Sequence, residues 1–298
     1  MTGQPFLPRP ILPRPILPRQ RVWTGALARF GVAPWAAVLV LAVIVLATAL
    51  APWIAPHDPQ TMDPLRRLQG PGAEFLLGTD NYGRDVWSRV LHGGRMSLTI
   101  GVAATLISVA AGMLIGLVAG YFRLADALIM RVMDGMMAIP SILLAIALVA
   151  LSGPSVGSVV AAITIPEVPR VVRLVRALVL SAREEPYVEA ATTLGTPPLR
   201  VLFSHLLPNT FSPMIVQATY ILASAILTEA ILSFLGAGVS TEIPTWGNIM
   251  AEGRSFFRLK PELVLWPGLV LSLCILSVNI LGDAARDMLD PRLKKRTG

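Results

Sequence analysis

The sequence predicts an all-α integral membrane protein of about six transmembrane helices, with both termini on the cytoplasmic side. Three observations carry that reading. The 298 residues are 54% hydrophobic and only 14% charged, with a mean hydropathy of +0.66, whereas a soluble domain carries roughly 25% charged residues. The apolar residues gather into runs free of Asp, Glu, Lys, Arg and His, and each run approaches or exceeds the roughly 20 residues that a membrane helix needs. The basic residues gather at the two ends and between runs, so the net charge of +7 and pI near 10.3 read as an orientation signal. The same numbers disfavour a soluble enzyme, a nucleic-acid binder and a disordered hub. One cysteine, Cys274, excludes an internal disulfide and a Cys-based zinc site, and His57, His92 and His205 lie far apart in sequence.

Residues 1–30 form a Pro/Arg-rich tail in which Leu-Pro-Arg-Pro-Ile occurs at 7–11 and again at 12–16. Proline at this density predicts extended, unpacked chain, with a ligand for a polyproline-binding module as the alternative. No cleavable signal peptide is expected, because the first apolar run is of full length. Span 1 occupies 31–56 and an external segment follows over 57–95. Span 2 covers 96–122. The third run, 135–166, has a Gly-Pro turn signal at Gly153-Pro154 and divides into spans at about 135–152 and 155–174. Span 5 covers 206–238 and contains a lone Glu229, and span 6 covers 263–282. A basic tail, 286–298, closes the chain. Six spans leave both basic ends inside, with 17 basic residues on cytoplasmic segments and 8 on external ones.

Ala104, Ser108, Gly112, Gly116 and Gly120 recur every fourth residue of span 2, a stripe for close helix approach within the bundle or against a partner. Arg170, Arg173 and Arg176 recur every third residue and read as a cytoplasmic extension of span 4, not as a voltage sensor. In the loop 177–212, Ser181 and Glu184 make a capping-box pattern, and 187–194 reads as a short helix stopped by Gly195. A second short helix with Leu199, Leu202, Phe203 and Leu206 on one face is expected to end at Pro208. Two short amphipathic helices here suit docking onto a partner; a loop lying on the membrane surface is the alternative.

Four segments, in order over 57–292, carry a specific resemblance. Glu189-Ala190-Ala191-x3-Gly195-x9-His205-x-Leu207-Pro208 resembles the EAA loop of ABC importer permeases, with His205 where the general pattern has Ile. Leu77-Gly78-Thr79-Asp80-x3-Arg84-Asp85-x2-Ser88-Arg89 is similar to the external segment of the dipeptide/oligopeptide branch. Glu229-Ala230-x-Leu232-Ser233-Phe234-Leu235-Gly236 resembles its span-5 exit, and Asn279-x-Leu281-Gly282-Asp283-x2-Arg286-Asp287 its C-terminal signature. The resemblance implies a permease of the bacterial cytoplasmic membrane that works with a second permease subunit, two ATP-binding subunits that use ATP and Mg, and an external peptide-binding protein. It implies ATPase coupling through Glu189, Ala190, Ala191, Gly195, His205, Leu207 and Pro208. Importers of nickel, glutathione and opines have similar permeases.

The remaining candidates come from the residues themselves. The chain has no Gly-Lys pair, hence no P-loop, and no catalytic residue, bound cofactor or metal ligand is expected. Asp80 and Asp85 read as local ion-pair partners of Arg84 and Arg89, with Asp85 and Arg89 at i,i+4, in preference to an acid/base pair. Glu229, the acid inside an apolar run, is either functional or a fixed structural partner at a gate, with Ser233 one turn on. Met136, Met137 and Pro140 offer a kink and an adaptable surface along the pathway, or ordinary packing. A proton-coupled transporter is the rival class, but no internal repeat is visible. A membrane hydrolase is a third, but no Ser–His pair lies at depth.

Overall fold

The computed structural model describes residues 31–289; the two tails lie outside them. The main helices are α1 (Val32–Ala49), α2 (Val86–Tyr121), α3 (Arg123–Met137), α4 (Ser141–Ser152), α5 (Val156–Arg183), α6 (Pro186–Thr193), α7 (Pro198–Phe234), α8 (Trp246–Arg254) and α9 (Glu262–Leu289). No β-strand is formed among the described residues; Thr79 and Asp85 make a single isolated bridge.

Four of these helices, α1, α2, α7 and α9, are long and apolar enough to cross a membrane, and the bent pair α3–α4 makes a fifth candidate. Helix α5 supplies a further traverse that apolarity alone does not detect, because Glu167, Arg170, Arg173 and Arg176 sit within it. Contacts between helices set the directions. Gly112, Gly116 and Gly120 of α2 meet Val171, Val175 and Val179 of α5 in step, so those two helices run parallel. Gly101 meets Ile226 of α7, and Ser97 bonds Glu229 of α7, so α7 runs the opposite way. Leu263 of α9 meets Gly253 and Gly282 meets Thr219, so α9 returns alongside α7. Thr48 near the end of α1 meets Gly94 near the start of α2. The chain therefore traverses the bundle six times, and Val32 and Leu289 lie at the same end as α6, in agreement with an even number of spans.

The small-residue stripe decides the tightest of these contacts. A Cβ on Gly112 would stand 2.4 Å from the Cβ of Val171, and one on Gly116 would stand 2.7 Å from that of Val175. The stripe thus packs within this chain. Arg183 at the end of α5 donates to the carbonyls of Gly120 (3.1 Å) and Tyr121 (3.0 Å), fastening the two inner helix ends and satisfying orphan C=O groups of α2.

Several boundaries differ from expectation. Helix α2 begins at Val86, ten residues before the expected start at 96, so the last part of the 57–95 segment belongs to the helix. Asp85 caps it, accepting from the Ser88 N–H at 3.0 Å. The expected span at 135–152 is α3 and α4 meeting at 89° across 138–140. Pro140 ends the break by serving as the residue before α4, as its missing donor and restricted backbone favour. Helix α5 continues past 174 to Arg183, through Pro166 and Pro169, so the Ser181–Glu184 capping box does not form: Ser181 is inside α5 and Glu184 ends it.

Candidate functional site

The end of the bundle that carries α6 holds the first group of candidate residues. Pro186 opens α6 at a position where its absent N–H costs nothing. Val188 and Ala191 turn inward, while Glu189 and Ala190 face out. Gly195 ends the helix at φ +80°, with its N–H bonded to Thr192 O (3.0 Å) and the Thr196 N–H bonded back to Ala191 O (3.1 Å). That is a left-handed helix stop of the kind glycine reaches without steric penalty.

The second helix of the loop does not end at Pro208. Pro198–Phe234 is one continuous helix of 37 residues, widened to π-helical pitch over Val201–Leu206. A proline ring clashes with the carbonyl four residues back, and the wide turn just before Leu207 and Pro208 relieves that clash without breaking the helix. The face expected to be uniformly apolar is split. Val201, Leu202 and Leu206 are buried in a cluster with Leu117 of α2, Val175 and Val179 of α5 and Val188 of α6, whereas Leu199 and Phe203 are exposed, as is Leu194, at 86%. Asn209 ties the two pieces together, its amide N donating to Tyr187 Oη (2.6 Å) and to His205 O (2.7 Å). His205 contributes its backbone carbonyl here, and its ring stands 6.5 Å from that of Tyr187.

The opposite end is organised by charge. Asp80 Oδ2 accepts from Arg84 Nε (2.7 Å) and from Arg89 Nη1, and Asp80 Oδ1 accepts the backbone N–H groups of Tyr82 (2.8 Å) and Arg84 (2.9 Å). Glu252 on α8 closes the cluster, accepting from Arg84 Nη2 and from Arg89 Nη1 (2.6 Å) and Nη2 (3.3 Å). The expected Asp85–Arg89 pair is absent, because Asp85 is used as the α2 cap and Arg89 turns to Asp80 and Glu252. Gly78, at φ +78°, allows Gln69 to pack against this turn. Glu252 was not legible from sequence: it lies 163 and 168 residues from its partners.

Glu229 lies between these ends, nearer the charged one, and is fully enclosed. Its Oε2 accepts from Ser97 (2.8 Å) and its Oε1 from Ser233 (2.8 Å), while Ser97 Oγ accepts the Trp246 N–H at 3.2 Å. One carboxylate thereby joins α2, α7 and the start of α8. Met136 packs with Met133, Val168 and Val172, Met137 is partly exposed, and Pro140 stands exposed at the α3–α4 break. These three do not meet Glu229 or Ser233.

Arg170, Arg173 and Arg176 lie on the part of α5 that runs on toward Arg183, and each has an acidic partner. Arg173 pairs with Asp134 (2.6 Å) and Arg176 with Asp126 (2.7 Å) on α3, and Arg170 pairs with Glu167 (3.2 Å). Val171 is level with Gly112 and Val179 with Gly120 in the last turn of α2, so the series runs toward the end of the bundle that carries α6.

An all-helical bundle traversed six times, sealed by charge pairs at one end and presenting a short exposed helix at the other, defines a multi-pass membrane protein. Residues 108–295 match the family of binding-protein-dependent transport system inner membrane components, and residues 33–71 match the N-terminal transmembrane domain of oligopeptide transport permease C. The chain is 51% identical over 248 residues to a probable peptide ABC transporter permease of Sinorhizobium fredii, covering 83% of this chain and 85% of that one. It is 45% identical to a di/tripeptide transport system permease of Pseudomonas aeruginosa (86% and 87% covered) and 39% identical to a glutathione transport system permease of Pectobacterium atrosepticum (84% and 85% covered). The chain belongs to the family of binding-protein-dependent transport system inner membrane components.

Proposed function

We propose that the chain is one of two permease subunits of an ATP-driven importer of dipeptides or oligopeptides, and that α6 with the start of α7 receives the motion of the ATP-binding subunits. The observation that supports this most is the state of that end: Glu189, Ala190, Leu194, Leu199 and Phe203 are all exposed on a backbone fixed by the Gly195 stop and the Asn209–Tyr187 bond. A surface that is rigid, part acidic and part apolar suits a protein partner. The names of the relatives support a peptide cargo, and the glutathione relative makes that tripeptide the second reading.

The geometry suggests how motion travels. Asn209 couples α6 to α7, which is continuous from Pro198 to Phe234 and ends in the Glu229–Ser97–Ser233 junction. A displacement of α6 by closing ATPases is delivered along this continuous helix to the junction that holds α8. In this reading Glu229 and Ser233 fasten the external gate, and Met136, Met137 and Pro140 border the pathway at the α3–α4 bend. ATP and Mg are used by the partner subunits, and an external peptide-binding protein supplies the cargo to the side that carries α8.

Reconstitution with and without partners tests the proposal. Peptide uptake should require ATP, both permeases, the ATPases and the binding protein. Uptake by this chain alone, or uptake driven by a proton gradient without ATPases, would overturn it.

A further inference from the structure

Helices α5 and α7 share a face that is neither packed away nor apolar. Gln217, Tyr220, Ser224 and Thr228 follow one another every three or four residues along α7, on one side of the helix, and all are half-buried. Beside them on α5, Glu167 is buried while the Arg170 side chain is 50% exposed. Glu167 Oε1 accepts from Ser224 Oγ (3.1 Å) and from Arg170 Nη1 (3.2 Å), which also reaches Oε2 at 3.4 Å. The neighbouring Val171 packs on Gly112, which at 1.5 Å per residue lies about 14 Å along α2 from its Tyr121 end. Arg170 is the fifteenth of the 28 residues of α5 and so stands near the middle of that helix.

A half-exposed guanidinium midway along a bundle helix does not face lipid, where it would be costly; such groups face a bundle interior or a water-filled cavity. A helix–helix seam is also a poor match. The tightest seam of the bundle, α2 on α5, is built from glycine and valine; on this stripe Tyr220 is spent on Asp283 of α9 and Ser224 on Glu167, but Gln217 and Thr228 make no side-chain hydrogen bond among the described residues. Arg170 spends Nη1 on Glu167, and a guanidinium has five N–H donors in a planar fork suited to carboxylates.

We propose that Arg170, held in place by Glu167 and Ser224 midway along α5, is a pathway binding site for the terminal carboxylate of the transported peptide. The proposal rests on the peptide-importer reading above. Gln217 and Thr228 then offer hydrogen bonds to the peptide backbone, which every peptide presents alike. Glu167 has two roles: it fixes the arginine rotamer and it offsets part of the charge. A transit site must bind well enough to admit and weakly enough to release, and a half-neutralised arginine meets both demands.

The test uses the complete reconstituted importer with saturating binding protein, and trialanine and trialanine amide as probes. Wild type should carry trialanine faster than the amide. Arg170→Gln should lower trialanine uptake about tenfold, the scale of one lost hydrogen bond to a charged group, and leave amide uptake near its wild-type rate. Arg170→Lys should keep part of the acid-over-amide preference. Equal losses for both probes would overturn the site and make Arg170 a structural or inter-subunit residue. If wild type carries neither probe, the peptide-importer reading fails and takes this site with it. Independently, in a Cys274→Ser background, Gln217→Cys and Thr228→Cys should react with a hydrophilic methanethiosulfonate and be protected by trialanine, while Leu106→Cys on the exposed apolar face of α2 should not react. Unreactive cysteines at both α7 positions would overturn the site whatever the uptake shows.

Discussion

At one end of the bundle, Asp80, Arg84, Arg89 and Glu252 bury their charges against one another, and Asp85 is consumed as a helix cap. At the other, the Glu189 carboxylate makes no bond among the described residues, and Leu194, Leu199 and Phe203 stand in the open on a helix held by a glycine stop and one amide. The difference lies in where the interactions are completed. The charged end pairs its charges within the chain, although Arg89 Nε and Asp85 Oδ1 keep no hydrogen-bond partner. The α6 end closes its backbone at the Gly195 turn but leaves its side chains unspent, which is the condition of a surface that awaits a partner.

Four substitutions set the two ends against each other. The largest effect should come from Arg89→Ala, since Arg89 is 2% exposed and its loss leaves two carboxylates, Asp80 and Glu252, with only the guanidinium of Arg84 between them; breaking such a buried pair costs about 3–5 kcal/mol. Thermal unfolding of the purified complex should show it, and an unchanged midpoint would mean that water reaches the cluster. Gly195→Val should cost roughly 1–2 kcal/mol through the left-handed backbone alone, because a Cβ there meets nothing within 4 Å. Membrane insertion should be normal, while the variant should bind ATPases weakly or hydrolyse ATP without transport. Wild-type ATPase stoichiometry and coupled uptake in that variant would remove α6 as the coupling element.

Asp85→Ala should cost about 1 kcal/mol through loss of the α2 cap, with Asp85→Asn retaining most of it; a loss several times larger would show that Asp85 serves the charge cluster as well. The smallest effect on stability belongs to Glu189→Lys, which should leave the unfolding midpoint in place and yet impair coupling, as measured by uptake per ATP hydrolysed. If Glu189→Lys destabilised the protein as much as Arg89→Ala, the contrast between a self-satisfied end and an unspent one would collapse.

The membrane class, the even number of traverses, the α6 helix with its Gly195 stop and the close-packing stripe of α2 all follow from the sequence, because apolar run length, helix punctuation and residue size are local properties. The partners of charges are not. Arg89 was expected to choose Asp85, four residues away, yet it takes Glu252, because the cap position claims Asp85 first and the fold brings α8 to the start of α2. The arginines of α5 read as a cytoplasmic extension of span 4, but the partners of Arg173 and Arg176 are not legible for the same reason: Asp134 and Asp126 stand on α3, 39 and 50 residues away. Likewise Pro208 signals a helix end, and only the packing of Val201, Leu202 and Leu206 holds a widened turn that carries the helix through it. The residues determined which segments are apolar enough to enter the membrane and where the backbone must turn; the tertiary structure decided which charges pair, since Coulomb energy depends on distances in space that the order of residues does not contain.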